Sequence, residues 1–420
     1  MRPSAPAPRR LIAPRAACFA ALAALALAAS LWPTPALSQA PGPLKIGVLL
    51  PLSGKHKRLG GAILDAVSLT RSVVKDVDFT VADTGGTAEG ARREVERLAL
   101  DLDVVALLGP VGWEEARAAA VRAQQLGLPI ISLSNQEGIE AIGDLVFRGR
   151  PSVQEQARLM ATVAVNEMKI ERFAILYPDD ELGQSAAMAF FEQARGGGGR
   201  VMAMSSYAAG ETNLQKAVEA LVSRRAPKLA GRSLARPPTS TIRQWGQVSR
   251  VDFDAIFVPD YDDSIALACR FLRFNDVPLP GLDDGITVQL LGTAHMHGPR
   301  LADSEGLVSG ALYPELFALS HADDQAAAFA RIYAESFGRE PVDIDAQVVD
   351  LYGILADRAR EARAAGLSGQ QARRAAAAGL VQMKDYEGLT GKQRFAADRS
   401  PIHAFEIWVV NANGEVAPSF

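Results

Sequence analysis

From residue 44 onward, short and nearly unbroken apolar runs alternate with longer amphipathic stretches. Leu44–Leu50 is followed by an amphipathic segment at Ala62–Val74, an apolar run at Phe79–Ala82 and a helical pattern at Ala88–Leu100. Val104–Leu108, Glu114–Leu126 and Pro129–Leu133 continue the alternation. Strands that face solvent on one side alternate polar and apolar residues, and these runs do not. They predict parallel strands covered on both faces by helices. Repeated strand–helix units of this kind predict an α/β protein with doubly wound parallel sheets.

A second series starts after Arg148-Gly149-Arg150-Pro151. Ser152 with Glu155 three residues on forms a capping box for a helix to about Met168. Strands follow at Phe173–Tyr177, Arg200–Tyr207 and Ala255–Val258, with helices at Glu181–Arg195, Leu214–Val222 and Ser264–Phe274. Val288–Gly292 marks a return to the first series, and Ala356–Ala378 reads as helix interrupted near Gly366–Ser368. One stretch breaks the rhythm. Residues 224–250 carry Arg224, Arg225, Lys228, Arg232, Arg236, Arg243 and Arg250 without a single acid. This basic insertion reads as a solvated arm, or as one that docks on an anionic surface.

The first 38 residues have the layout of a secretory signal. Arg2, Arg9, Arg10 and Arg15 form a basic start, Ala16–Leu31 is apolar, and Ala36-Leu37-Ser38 offers small residues before a cut at Gln39. The expected mature chain is soluble and periplasmic, without a membrane span. Losing those arginines takes the formal charge from −4 to −8, which gives no basic footprint for nucleic acid. Removing Cys18 leaves only Cys269, so no internal disulfide is expected and Cys269 reads as a buried small hydrophobe. The remaining length exceeds one comfortable core and predicts two domains.

Taken in order, eight short segments resemble the type I periplasmic solute-binding proteins, the group of the leucine/isoleucine/valine-binding proteins. They are Pro51–Gly54, Leu107–Ala116, Leu126–Asn135, Phe147–Gln156, Ala174–Gly183, Phe253–Asp260, Phe337–Asp350 and Gly388–Phe395. The resemblance implies two Rossmann-like lobes joined by three crossovers, with a ligand held between them. It assigns 44–147 plus 286–380 to lobe I and 148–285 plus 381–420 to lobe II, with 224–250 inserted in lobe II. The chain is also similar to the periplasmic-binding-like domain of penicillin-binding protein activators, through its LLPLSG start, its SLSN corner and the insertion before Phe253.

Amino-acid binders of the family hold the ligand carboxylate with a serine four residues after the glycine of their GP motif; here that position is Trp113. The threonine of their next corner becomes Gln136, the aspartate after the first crossover becomes Pro151 or Ser152, and the aromatic before Gly183 becomes Leu182. Ammonium and carboxylate each need a specific partner when buried, so these departures argue against an α-amino acid.

Strand ends supply the ligand-binding residues expected here: Ser53, Trp113, Ser134, Asn135 and Gln136 from lobe I, Asp180, Leu182, Asp260 and Tyr261 from lobe II, and His295 at the crossover back to lobe I. Lys55-His56-Lys57-Arg58 either suits an anion or solubilises the rim. Asp179–Glu181 and Asp260–Asp263 either face it or cap helices. His295 and His297 lack the cysteines or acids of a metal set. No GxSxG, HExxH, P-loop or GxGxxG motif is present, so binding without turnover, cofactor or metal is expected. The expected function is capture of a polar small molecule for an ABC-type importer of the branched-chain amino acid/amide type, with its permease as partner. The alternative is a non-transport regulator that contacts a peptidoglycan synthase.

Overall fold

A computed structural model describes residues 44–222, 251–283, 285–298, 301, 306–317 and 324–419. The expected signal segment 1–38 and the basic insertion 224–250 lie outside the described residues.

The first layer is a five-stranded parallel sheet in the order β2-β1-β3-β4-β5. Its strands are β1 (Lys45–Leu50), β2 (Asp78–Asp83), β3 (Val104–Leu108), β4 (Ile130–Ser132) and β5 (Val146–Arg148). Between them run α1 (Lys57–Val73), α2 (Ala88–Leu100) and α3 (Trp113–Leu126). α1 begins earlier than the apolar pattern suggested and takes Lys57 and Arg58 into its first turn. The strand residues Val104–Leu108 are all buried, as a run covered on both faces requires. At the end of β3, Gly109 has φ +100 and a Cβ there would lie 2.2 Å from the Leu49 carbonyl, so the corner accepts only glycine.

The chain then enters a second layer through α4 (Val153–Asn166), whose capping box of Ser152 and Glu155 forms as expected. β6 (Arg172–Pro178), α5 (Glu181–Gly196), β7 (Arg200–Tyr207), α6 (Gln215–Val222), β8 (Ala255–Phe257) and α7 (Asp262–Phe274) follow. β9 (Gln289–Leu291) and β10 (Leu312–Glu315) extend the same sheet. The chain returns to the first layer in α8 (Asp324–Phe337), α9 (Asp343–Ala364) and α10 (Gly369–Gln382), which bury Tyr333, Leu351, Leu355 and Leu380 against β1 and β3.

A small antiparallel sheet of β11 (Tyr386–Gly388), β12 (Gly391–Phe395) and β13 (Pro401–His403) follows. Its Phe395 packs edge-on against Phe147 of β5 at 5.1 Å. Finally β14 (Glu406–Val410) and β15 (Val416–Pro418) close the second sheet, giving the order β15-β14-β10-β9-β8-β6-β7.

The chain thus passes between the two layers at 148–153, between β10 and α8, and at 403–406. Two assignments differ from the sequence reading. β9 and β10, expected in lobe I, join the second sheet, and β11–β13, expected in lobe II, pack on the first core. Both follow from pairing across long separations, which a local apolar pattern does not encode.

Candidate functional site

In both layers the strands end toward the crossovers, and the expected residues sit on those ends. In the first layer Ser53 is exposed after β1. Its N–H donates to Asp83 Oδ1 (3.1 Å), which also accepts from Leu52 N (2.9 Å) and Gly85 N (2.9 Å). Partial burial works against this carboxylate, but the three amides and the Ser53 hydroxyl hold it below the ordinary range. Trp113 is half-buried at the start of α3, packed on the core beneath β3. Beside it Glu115 is buried and accepts a hydrogen bond from Thr84 Oγ1. Burial pushes its carboxyl up, against the Thr84 bond and the His56 charge.

After β4, the Ser132 hydroxyl accepts from Ser134 N (3.1 Å) and the Ser134 hydroxyl from Gln136 N (3.4 Å). These serines therefore shape a turn, with Asn135 half-buried just after Ser134. Gln136 reaches across to the second layer, where its Nε2 donates to Glu181 Oε1 (3.0 Å) while its own Oε1 is buried without a partner among the described residues.

In the second layer Asp180 caps α5 by accepting from Gly183 N (2.7 Å). Leu182 packs partly buried on the core around Phe173 and Phe190. Asp260 is only 9% exposed. Its Oδ2 accepts from the Tyr207 hydroxyl (2.6 Å) and its Oδ1 from Tyr261 N (2.8 Å). Tyr261 is 53% exposed, and its ring stacks on His295 with centroids 4.9 Å apart and planes 24° apart. Burial lowers the His295 pKa, Arg150 adds to this, and Asp343 and Asp260 oppose it. His297 pairs its Nδ1 with Glu315 Oε2 (2.5 Å). Burial pulls this imidazole down, but the Glu315 bond and charge outweigh it and raise the pKa.

Two neighbours escaped the sequence reading. Arg150, in the first crossover, donates from Nε to Gln347 Oε1 (3.0 Å) and from Nη2 to Asp343 Oδ2 (3.4 Å) at the start of α9. Tyr207, at the end of β7, is buried against Asp260. Only the segment Phe147–Gln156 hinted at Arg150, and nothing local marked Tyr207. The structure thus groups Asp260, Tyr261 and His295 with Arg150, Asp343 and Tyr207, and links Gln136 to Glu181. It leaves Ser53 with Asp83, and turns Asp180 and Leu182 to capping and packing. Among the described residues no cluster of three or more metal-binding side chains occurs. Cys269 is buried, and its thiol is pushed up to about 12.

Solved structures share this architecture. The leucine binding protein LivK from Thermotoga maritima superposes with a TM-score of 0.62 at 19% identity, covering 90% of this chain and 98% of that one. An ABC transporter substrate-binding protein from Desulfitobacterium hafniense, in complex with leucine, gives 0.64 at 20% identity over 90% and 99%. A solute binding protein of an ABC transporter from Rhodopseudomonas palustris, in complex with 3,4-dihydroxybenzoic acid, gives 0.64 at 16% over 89% and 95%. No curated protein matches by sequence. A family model described as periplasmic binding protein matches residues 43–415. With two layered lobes, three crossings and a match along nearly all of the described chain, the protein belongs to the periplasmic binding protein family, in its type I form.

Proposed function

We propose that the protein is a solute-binding component of an ABC-type importer, which captures a polar small molecule between its lobes and presents it to a membrane permease. The observation that carries this reading is the group at the strand ends. A nearly buried carboxylate, Asp260, lies behind a half-exposed ring, Tyr261, with Gln136 spanning from the opposite lobe. Such a surface offers polar groups on an apolar wall, as small-molecule sites do. The D. hafniense and R. palustris relatives were crystallised with a leucine and with an aromatic acid respectively, which supports solute capture on this scaffold.

Family membership implies a periplasmic or extracellular location, and export through the cleavable segment 1–38 is part of the proposal. No helix among the described residues is long and apolar enough to cross a membrane. A ligand that binds only the folded state raises its stability by about 2.7 kcal/mol at a hundredfold excess over Kd. A thermal-shift screen of amino acids, amides and aromatic acids should therefore give a saturable rise in Tm for at least one class. A flat response across the whole panel refutes the proposal and returns weight to a regulator of cell-wall synthesis.

A further inference from the structure

The loop after β4 projects from the first lobe and is fixed at both ends. At its start the Ser132 and Ser134 hydroxyls each accept from the N–H two residues on. At its far end Ile139 is fully buried in the first lobe's core and opens a short 3-10 turn at Ile139–Ile142. Gly138, just before it, has φ +92, a left-handed conformation that glycine adopts without strain. Gln136 and Glu137 therefore sit on a projection that cannot swing freely.

Both residues grip the second lobe. Glu137 Oε1 accepts from the Ser152 hydroxyl (2.7 Å) and from Arg158 Nη2. Ser152 caps α4 and Arg158 lies in its second turn, so the Glu137 charge stands at a helix start, where it is favoured. Gln136 reaches the next helix, donating from Nε2 to Glu181 Oε1 (3.0 Å) in the first turn of α5. The two helices act as one body. Ala157 and Met160 of α4 share a buried cluster with Ala186 and Phe190 of α5, and Gln193 Nε2 donates to Thr162 Oγ1 (3.0 Å) between them. A body held at one point can still rotate about it; one held at two separated points cannot. Ser152 belongs to the first crossover, so the Glu137 contact lies on the pivot, and the Gln136 contact blocks rotation about it.

We propose that Gln136 and Glu137 form a clasp that shuts the two lobes through the protein's own groups, so that closure does not wait for a solute. Hinged lobes exchange between open and closed forms, and a contact made in only one form shifts the balance by its own free energy. The exposed bond from Gln136 and the half-exposed pair of Glu137 and Arg158 shift it by about three- to fivefold each. Together they favour the closed form by about tenfold or more. Gln136 Oε1 takes no part in the clasp and stays turned to whatever the cleft holds.

Spin labels at Glu114→Cys in lobe I and Lys216→Cys in lobe II, both exposed at helix starts, report the separation of the lobes by double electron–electron resonance. Buried Cys269 takes no label. The mature protein is unfolded, dialysed and refolded first, so that no solute travels with it. With the clasp intact, the labels should show mainly the short distance of the closed form. Gln136→Ala with Glu137→Ala should raise the ratio of long to short distances by about tenfold. Gln136→Glu alone sets one carboxylate against another and should also open the lobes. Adding Glu181→Gln to it restores the bond with donor and acceptor exchanged, and should bring the short distance back. A merely structural role for the loop would not give that rescue, and circular dichroism melts check that every variant folds. A long distance in the unmutated loop, no change in the alanine pair, or no rescue by the exchange overturns the clasp. Solute capture is judged separately by the thermal-shift screen: a clasp that fails leaves it standing, and a flat screen leaves the clasp standing.

Discussion

Arg148 supplies the sharpest test of how the first crossover is built. Its guanidinium is 1% exposed and grips Glu155 at both oxygens, Nη1 to Oε2 at 2.9 Å and Nη2 to Oε1 at 2.7 Å. Nη1 also donates to the Arg150 carbonyl (2.9 Å), and Nε lies 3.4 Å from Glu140. Glu155 in turn accepts from Ser152 N (2.8 Å), which ties the pair to the cap of α4. Arg148→Met leaves Glu155 without its main counter-charge, and breaking a buried pair from one side costs about 3–5 kcal/mol. The Glu155 side chain is 25% exposed, so the lower end, about 3 kcal/mol, applies.

Burial raises the Glu155 carboxyl, but the Arg148 bond and charge dominate and hold it below the usual glutamate value. A depressed carboxylate stabilises above its unfolded pKa, about 4.3, and that stability is lost as pH falls through the folded value. In Arg148→Met only burial and weaker partners remain, so Glu155 protonates more easily. The deficit should therefore shrink between pH 7 and pH 4. Urea unfolding of wild type, Arg148→Met, Glu155→Gln and the double variant at both values measures this. A deficit below about 1 kcal/mol at pH 7, or one that does not change with pH, would refute the reasoning.

Three further perturbations follow from buried polar groups. Arg373, 1% exposed, donates to the carbonyls of Ala99, Asp101 and Val104 at 2.9–3.0 Å and so closes the end of α2; Arg373→Met should cost about 3 kcal/mol by urea unfolding, while the exposed Arg374→Met should cost under about 0.5. Burial pushes the Asp350 carboxyl up to about 6 despite hydrogen bonds from Leu389 N, Thr390 N and Thr390 Oγ1. Its neutral form is favoured in the fold, so its contribution falls as pH rises through that value and is flat above it. Carboxyl-detected NMR should show this resonance titrating near 6, and a midpoint below 4.5 would contradict the burial argument. Tyr207→Phe removes one of two donors from Asp260 and should destabilise by about 1.5–3 kcal/mol, a loss that Asp260→Asn in the same chain should reduce.

How much of this was legible in the sequence depended on range. The helix start at Ser152 was, because its signal is contained in four residues. So were the buried strands, because Val104–Leu108 and Phe173–Leu176 announce burial on both faces by composition alone. β9 and β10 were not, since three or four residues do not specify which sheet they join. Their place is decided by pairing with β8 and β14. Arg150 meets Asp343 across 193 residues and Tyr207 meets Asp260 across 53, and neither pair leaves a local trace. Asp180 shows the opposite case: capping and ligand contact were both open from sequence, and the bond from Gly183 N satisfies the first.

The Ser-Gly corner after β1 explains why the scaffold is easier to read than its cargo. Gly54 has φ +76 and a Cβ there would come within 2.7 Å of the Gly85 carbonyl, so the residue is fixed by backbone geometry. Ser53 is tied to Asp83, whose carboxylate collects the amides of both strand-end loops. These residues hold the ends of β1 and β2 together independently of any ligand. On the proposed capture of a solute, the contacts that differ from one solute to another lie elsewhere, on Gln136, Arg150, Asp260 and Tyr261. There a substitution changes which groups meet the cleft without moving the backbone. Replacing Ser53 by alanine should thus alter affinity for every solute about equally, whereas changes at Arg150 or Asp260 should reorder them.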